Sequence, residues 1–181
     1  MTTQQFQITF FSIFGLCILT IVLSFTSFDF IEVEPAVSWT MKYFALPILI
    51  ITTPNCYFIY LKYIKQHEKK EYKSKIWIQL RTIFRIFSLT LGITAIFIAT
   101  TLSIIILSNA YIGSSKTINL NSKIIDYYTL TNKGQIRHYI KIQVQQLDRT
   151  IDLKVQEPYQ VGQTFEKTLL IGKWGLLYSE E

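Results

Sequence analysis

Three stretches of this chain, residues 1–28, 43–61 and 86–111, contain no Asp, Glu, Lys or Arg. A charged side chain at the centre of a bilayer costs roughly 2.5–3.5 kcal/mol, so long charge-free apolar runs are what a spanning helix requires. About 20 helical residues cross a hydrocarbon core about 30 Å thick. The runs therefore predict three spans, at about residues 8–28, 43–61 and 86–107, within a transmembrane region covering 1–111. A single soluble domain, which 181 residues would otherwise suggest, is excluded by this distribution.

The charges that remain are unevenly placed. Residues 62–85 hold eight Lys/Arg and two Glu, a balance of +6 that equals the net charge of the whole chain. Residues 1–61 carry one base and three acids, and residues 109–181 carry nine bases and seven acids. Basic segments next to spans stay in the cytoplasm. That orients the chain with its N-terminus inside, the acidic connection at Asp29, Glu32 and Glu34 outside, 62–85 inside, and everything after the third span outside. The expected location is the cytoplasmic (inner) membrane of a bacterium, with multiple passes. Because the basic excess lies beside a membrane, nucleic acid is not expected as a partner.

Within the basic segment, Ile76, Trp77, Leu80, Ile83, Phe84 and Phe87 recur at helical spacing, while Lys73, Arg81 and Arg85 fall on another face. This pattern predicts an interfacial helix running into the third span. Lys69, Lys70, Lys73, Trp77, Arg81 and Arg85 are its candidate lipid-contacting residues. Anionic headgroups are the expected partner, each Lys or Arg near the surface contributing about 1 kcal/mol.

The N-terminal run lacks the basic start and small-x-small site of a cleaved signal peptide, so an uncleaved span is expected. Cys17 and Cys56 both fall in predicted spans, which leaves the remainder without a disulfide framework. Inside the second span, Thr52, Thr53, Pro54 and Asn55 form a candidate intramembrane polar site. The proline implies a kink and a freed carbonyl that a neighbouring hydroxyl could serve. Ala95, Ala99 and Ser103 form a small-residue line on the third span, which permits close helix approach and homo-oligomers.

From Lys116 onward the period changes from 3.6 to 2. Ile118, Leu120, Ile124, Tyr128 and Leu130 share one parity. Ile136, His138, Ile140, Ile142 and Val144 then alternate with polar residues, followed by Ile151, Leu153 and Val155. Two more alternating runs cover 164–171 and 174–178. The expectation is a compact antiparallel β domain over 116–181, of about five strands, barrel-like or sandwich-like. So the fold class is membrane α plus small β.

Reactive motifs do not stand out. The glycines fit neither the phosphate-loop nor the dinucleotide spacing, and HExxH and GxSxG are absent. Gly172-Lys173-Trp174-Gly175 has the GxxG spacing of a nucleic-acid clamp, but flanking strands make it a turn. His138 shares the apolar face of its strand and is the candidate β-domain site. A hydrogen-bonded, partly covered histidine is the plain reading of that position. Asp29, Glu32 and Glu34 either are solvated, form a cation site, or face the basic side of the β domain. No cofactor and no metal are expected.

These features point to a non-enzymatic, membrane-anchored interaction module, an envelope-complex subunit or immunity-type protein, whose β domain meets an envelope protein outside the cytoplasm. The alternative is a small transporter or channel subunit with a path along Thr52–Asn55. A membrane enzyme would rest on His138 and scattered acids alone.

Overall fold

A computed structural model describes residues 3–65, 74–113, 115–132, 135–144 and 148–179. They form two compact units. One comprises Met1–Phe25 with Glu34–Ile105, and the other Thr26–Val33 with Ile106–Glu181.

The first unit is helical. α1 covers Thr3–Thr26, α2 Val33–Trp39, α3 Ala45–Ile59 and α4 Lys75–Tyr111. Short π-wound turns at Thr40–Phe44 and Tyr60–Ile64 join α2 to α3 and extend α3. Three helical stretches among the described residues, Gln4–Thr26, Val33–Ile64 and Ile76–Tyr111, are long and apolar enough to cross a membrane. Their outward side chains are large and apolar. Phe11, Leu46, Phe58, Trp77 and Phe84 are all exposed, a surface that water would not tolerate and hydrocarbon would. The protein is accordingly a multi-pass membrane protein.

All three spanning helices start earlier than the charge pattern suggests, the first at Gln4. The second begins at Val33, ten residues before the expected span, because its first turns are made by α2 and the π turn. There the Ala45 N–H reaches back to the Thr40 carbonyl. The five-residue step lies just before Pro47, which has no N–H to give. The third is continuous from Lys75 and 37 residues long, about 55 Å at 1.5 Å per residue. The interfacial helix and the third span are thus one rod over the described residues. Lys69, Lys70 and Lys73 lie outside them.

α3 and α4 pack through hydroxyls. The Thr52 and Thr94 oxygens are 2.7 Å apart and buried, and Tyr60 OH lies 3.4 Å from Thr82 Oγ1. α1 joins through Phe6 stacked on Tyr63, with centroids 3.8 Å apart.

The second unit is a curled antiparallel sheet of six strands, a half-barrel in the order β1-β6-β5-β2-β3-β4. The strands are β1 Phe30–Ile31, β2 Lys116–Asn132, β3 Gln135–Val144, β4 Arg149–Val155, β5 Thr164–Ile171 and β6 Leu177–Ser179. One strand more than expected is present, because the acidic connection after α1 supplies β1. It pairs with β6, Phe30 opposite Ser179 and Ile31 opposite Tyr178.

β2 is the spine. Its first half pairs with β5 and its second with β3, and the register shifts between Ile124 and Asp126. That bulge reverses the parity expected for the second half. Tyr127 turns toward the core, whereas Tyr128 and Leu130 go to the convex face, since one extra residue flips every side chain after it. Tyr128 stacks there on Tyr139, centroids 5.3 Å apart. The concave face is filled by Ile118, Leu120, Ile124, Ile140, Ile142, Val144, Ile151, Leu153, Phe165, Leu169 and Leu177.

Candidate binding groove

The two edges of the half-barrel are β1 and β4, and side chains rather than backbone pairs link them. Glu32, 8 % exposed, follows β1 and accepts from the Arg149 guanidinium at 2.6 Å and from the Leu177 N–H at 3.1 Å. Arg149 opens β4 and also donates to the Gly175 carbonyl at 2.9 Å. A desolvated carboxylate needs such partners, because a buried charge without them is strongly unfavourable. Three residues earlier, Asp29 accepts from Lys167 Nζ at 2.8 Å. The Lys167 ammonium, helped by Lys154, holds the Asp29 carboxyl below the usual aspartate range. Of the three readings open for the acidic connection, Asp29 and Glu32 take the one in which they face the basic side of the β unit. Glu34 sits exposed in the first turn of α2.

The turn at 172–175 is fixed by the last helical turn of α4. Asn109, fully buried, accepts at Oδ1 from Trp174 N–H and Leu176 N–H and donates to the Leu176 carbonyl. Its own carbonyl accepts from the Lys173 N–H. A Cβ on Gly172 would collide with Asn109, so glycine is required there. The GxxG spacing is a turn built for this contact.

At the end of the half-barrel remote from Arg149, the seam opens into a groove of about 800 Å³. Its lining includes Asp29, Arg137, His138, Lys154, Tyr159 and Phe165. The local sequence explains why it exists. β4 pairs with β3 only from Val155 opposite His138 onward. Gln156 and Glu157 then bend away toward Pro158, which cannot donate to a ladder. β3 begins three residues before that pairing, at Gln135, with 135–137 held on one side by β2.

His138 lies on the concave face, half-buried, with Nδ1 2.5 Å from Tyr127 OH. Tyr127 is the partner that strand parity alone hid, since the bulge brings it inward. Tyr159 meets Phe165 edge to face, centroids 5.6 Å apart. The groove therefore combines an aromatic floor with cations at Arg137, Lys154 and Lys167 against Asp29 and Glu157.

The polar site expected in the second span is divided by the helix. Of its four residues only Thr52 is buried, bonded to Thr94. Thr53 donates to the Leu49 carbonyl and Asn55 Nδ2 to the Ile51 carbonyl, both at 2.7 Å. Thr52 also reaches Leu49, at 3.3 Å. Neither hydroxyl goes to Ile50, whose carbonyl loses its donor to Pro54; both go to the carbonyl before it. Thr52, Asn55 and Cys56 border a cavity of about 280 Å³ whose other walls are apolar, including Phe10, Phe14 and Phe97. On α4, Trp77 is exposed while Arg81 and Arg85 are partly buried. Of the small-residue line, Ser103 is buried and Ala95 exposed. No group of three or more His, Cys, Asp or Glu suited to a metal occurs among the described residues.

Comparison with protein-family models, curated proteins and solved structures finds no match to this chain.

Proposed function

We propose that this protein is a membrane-anchored interaction module. Three spans hold it in the cytoplasmic membrane of a bacterium, and the β unit meets a partner protein on the outer side. The observation that carries the reading is the groove at the open end of the half-barrel. It offers an aromatic floor, a cationic rim and an unpaired stretch of strand, which are features of recognition more than of bond-breaking chemistry. His138 is oriented by Tyr127, but a covalent mechanism also needs a nucleophile within reach of the base. Among the described residues, the groove lining supplies no Ser, Thr or Cys.

The orientation is supported by the charge distribution, with eight Lys/Arg between the second and third spans. The same segment is proposed to meet anionic headgroups, with Arg85 and Arg81 near the phosphate level and Trp77 further out along the α4 rod on the cytoplasmic side. Reporter fusions at Glu34, Lys70 and Ser115 test the arrangement. The expected result is an extracytoplasmic signal at Glu34 and Ser115 and a cytoplasmic one at Lys70; the opposite pattern overturns it. Affinity purification from detergent is expected to recover a stoichiometric envelope protein, and recovery of the bare chain under several growth conditions counts against the module.

A further inference from the structure

We propose that the groove receives an extended segment of a partner protein, alternating acidic and apolar residues, which pairs with the open edge of β3 at residues 135–137 and continues the line of β4. This deepens the interaction-module reading and rests on it. The first ground is the backbone. Residues 135–137 have β2 on one side, opposite Asn132, Thr131 and Leu130, while β4 pairing stops at His138. An unpaired row of N–H and C=O groups is a template for another strand, about 4.8 Å away. The groove occupies the place where that strand would lie, because Gln156, Glu157 and Pro158 turn out of it.

The second ground is the side-chain pattern, which selects the guest. Extending the β3–β4 register places a guest residue opposite Arg137, on the convex face that Lys154 also occupies through its pairing with Tyr139. A carboxylate at that position meets both cations. The next guest residue stands opposite Ile136 on the concave face, beside Val155 and above Tyr159 and Phe165, and that position suits an apolar side chain. Asp29 offers the guest little repulsion because Lys167 already neutralises it. Glu157 is the opposing charge, against Arg137 and Lys154. β-Strand addition of this kind takes affinity from main-chain hydrogen bonds and specificity from alternate side chains.

The test uses the full chain in phosphatidylcholine nanodiscs and a fluorescein-labelled hexapeptide of alternating Glu and Val. Saturable binding is expected. It should fall at least about tenfold, or about 1.4 kcal/mol, when alternate peptide nitrogens on the pairing side are methylated. A similar fall is expected for the double variant Arg137→Glu with Lys154→Glu, which should instead bind a Lys-Val hexapeptide. Circular dichroism of that variant checks that the unit is folded. Equal binding of the methylated peptide shows surface ion pairing and overturns the proposal. So does a dimer of the chain that the peptide fails to displace, or no binding at all. A double variant that still recovers the wild-type partner overturns the groove and leaves the module standing. The expected peptide pattern without any co-purified partner does the reverse.

Discussion

The helical unit and the β unit solve the same problem, a polar group removed from water, with opposite chemistry. Between α3 and α4 the buried pair is neutral: Thr52 and Thr94 share one hydrogen bond, while the exposed Thr53 and Asn55 turn back onto their own helix. In the β unit the buried group is a carboxylate, Glu32, held by Arg149 and a backbone N–H. The difference follows from the medium. In hydrocarbon a broken ion pair has no water to fall back on, whereas a hydroxyl can always return to its i−4 carbonyl. In a unit with an aqueous face, one end of the pair can keep some hydration: the Arg149 side chain is 31 % exposed. Polarity thus adjusts packing in one unit and closes the sheet in the other.

The largest expected effect comes from breaking the ionic closure. Arg149→Met leaves Glu32 buried and short of its cation, and should destabilise the β unit by about 3 kcal/mol. Thermal unfolding in detergent, followed by near-ultraviolet circular dichroism, measures it. Adding Glu32→Leu should recover much of the loss, and an unchanged melting temperature in the single variant would sink the idea. Next comes Gly172→Ala, where the new methyl meets Asn109. A cost of about 2–3 kcal/mol is expected, read as lost hydrogen-exchange protection at Trp174 and Leu176.

The neutral side of the comparison should respond far less. Thr52→Val and Thr94→Val, combined in a double-mutant cycle, should give a coupling of about 0.6 kcal/mol. A coupling above that of the Glu32–Arg149 pair would reverse the contrast. The smallest effect belongs to Asp29, whose carboxyl is held down by Lys167. A lowered folded-state value contributes stability above the ordinary aspartate range, which is lost as pH falls through the lowered value. With the Asp29 side chain 59 % exposed, the contribution is below about 1 kcal/mol. Asp29→Asn should remove this acid limb from the pH dependence of unfolding, and an unaltered profile would show that the pair contributes nothing.

The spans were legible in the sequence because the bilayer penalises charge position by position. The alternation of β3 and β4 was equally legible, since each has one buried face. The second half of β2 was not. A bulge between Ile124 and Asp126 leaves no compositional mark, and it alone decides that Tyr127 rather than Tyr128 reaches His138. β1 was hidden for another reason, as two residues in an acidic connection carry no period at all. Glu32 is a surface residue by type and buried only because β6 arrives beside it. For the groove, sequence pattern supplied His138 but not Arg137, Lys154 or Lys167, which the strand pairing and the curl of the sheet bring beside it. Pro158 was visible as the end of an alternating run, but not as the reason β3 outlasts β4. Asn109 gave a weak signal, an amide at the end of a charge-free run, with nothing to say that a turn over 60 residues later would need it.

The pairing of β1 with β6 has a consequence for how the protein is made. Phe30 and Ser179 are partners, so one leaves the ribosome roughly 150 residues before the other. At about 5–20 residues per second, that is a wait of about 7–30 s. For most of it Glu32 has neither Leu177 nor Arg149, and β1 has no strand to pair with. In order of synthesis β2, β3 and the β4 edge are available first, β5 and β6 add to them later, and the earliest-made strand, β1, has its partner only at the end. Loss of β6 would remove β1 as well, since among the described residues β6 is the only strand that β1 pairs with.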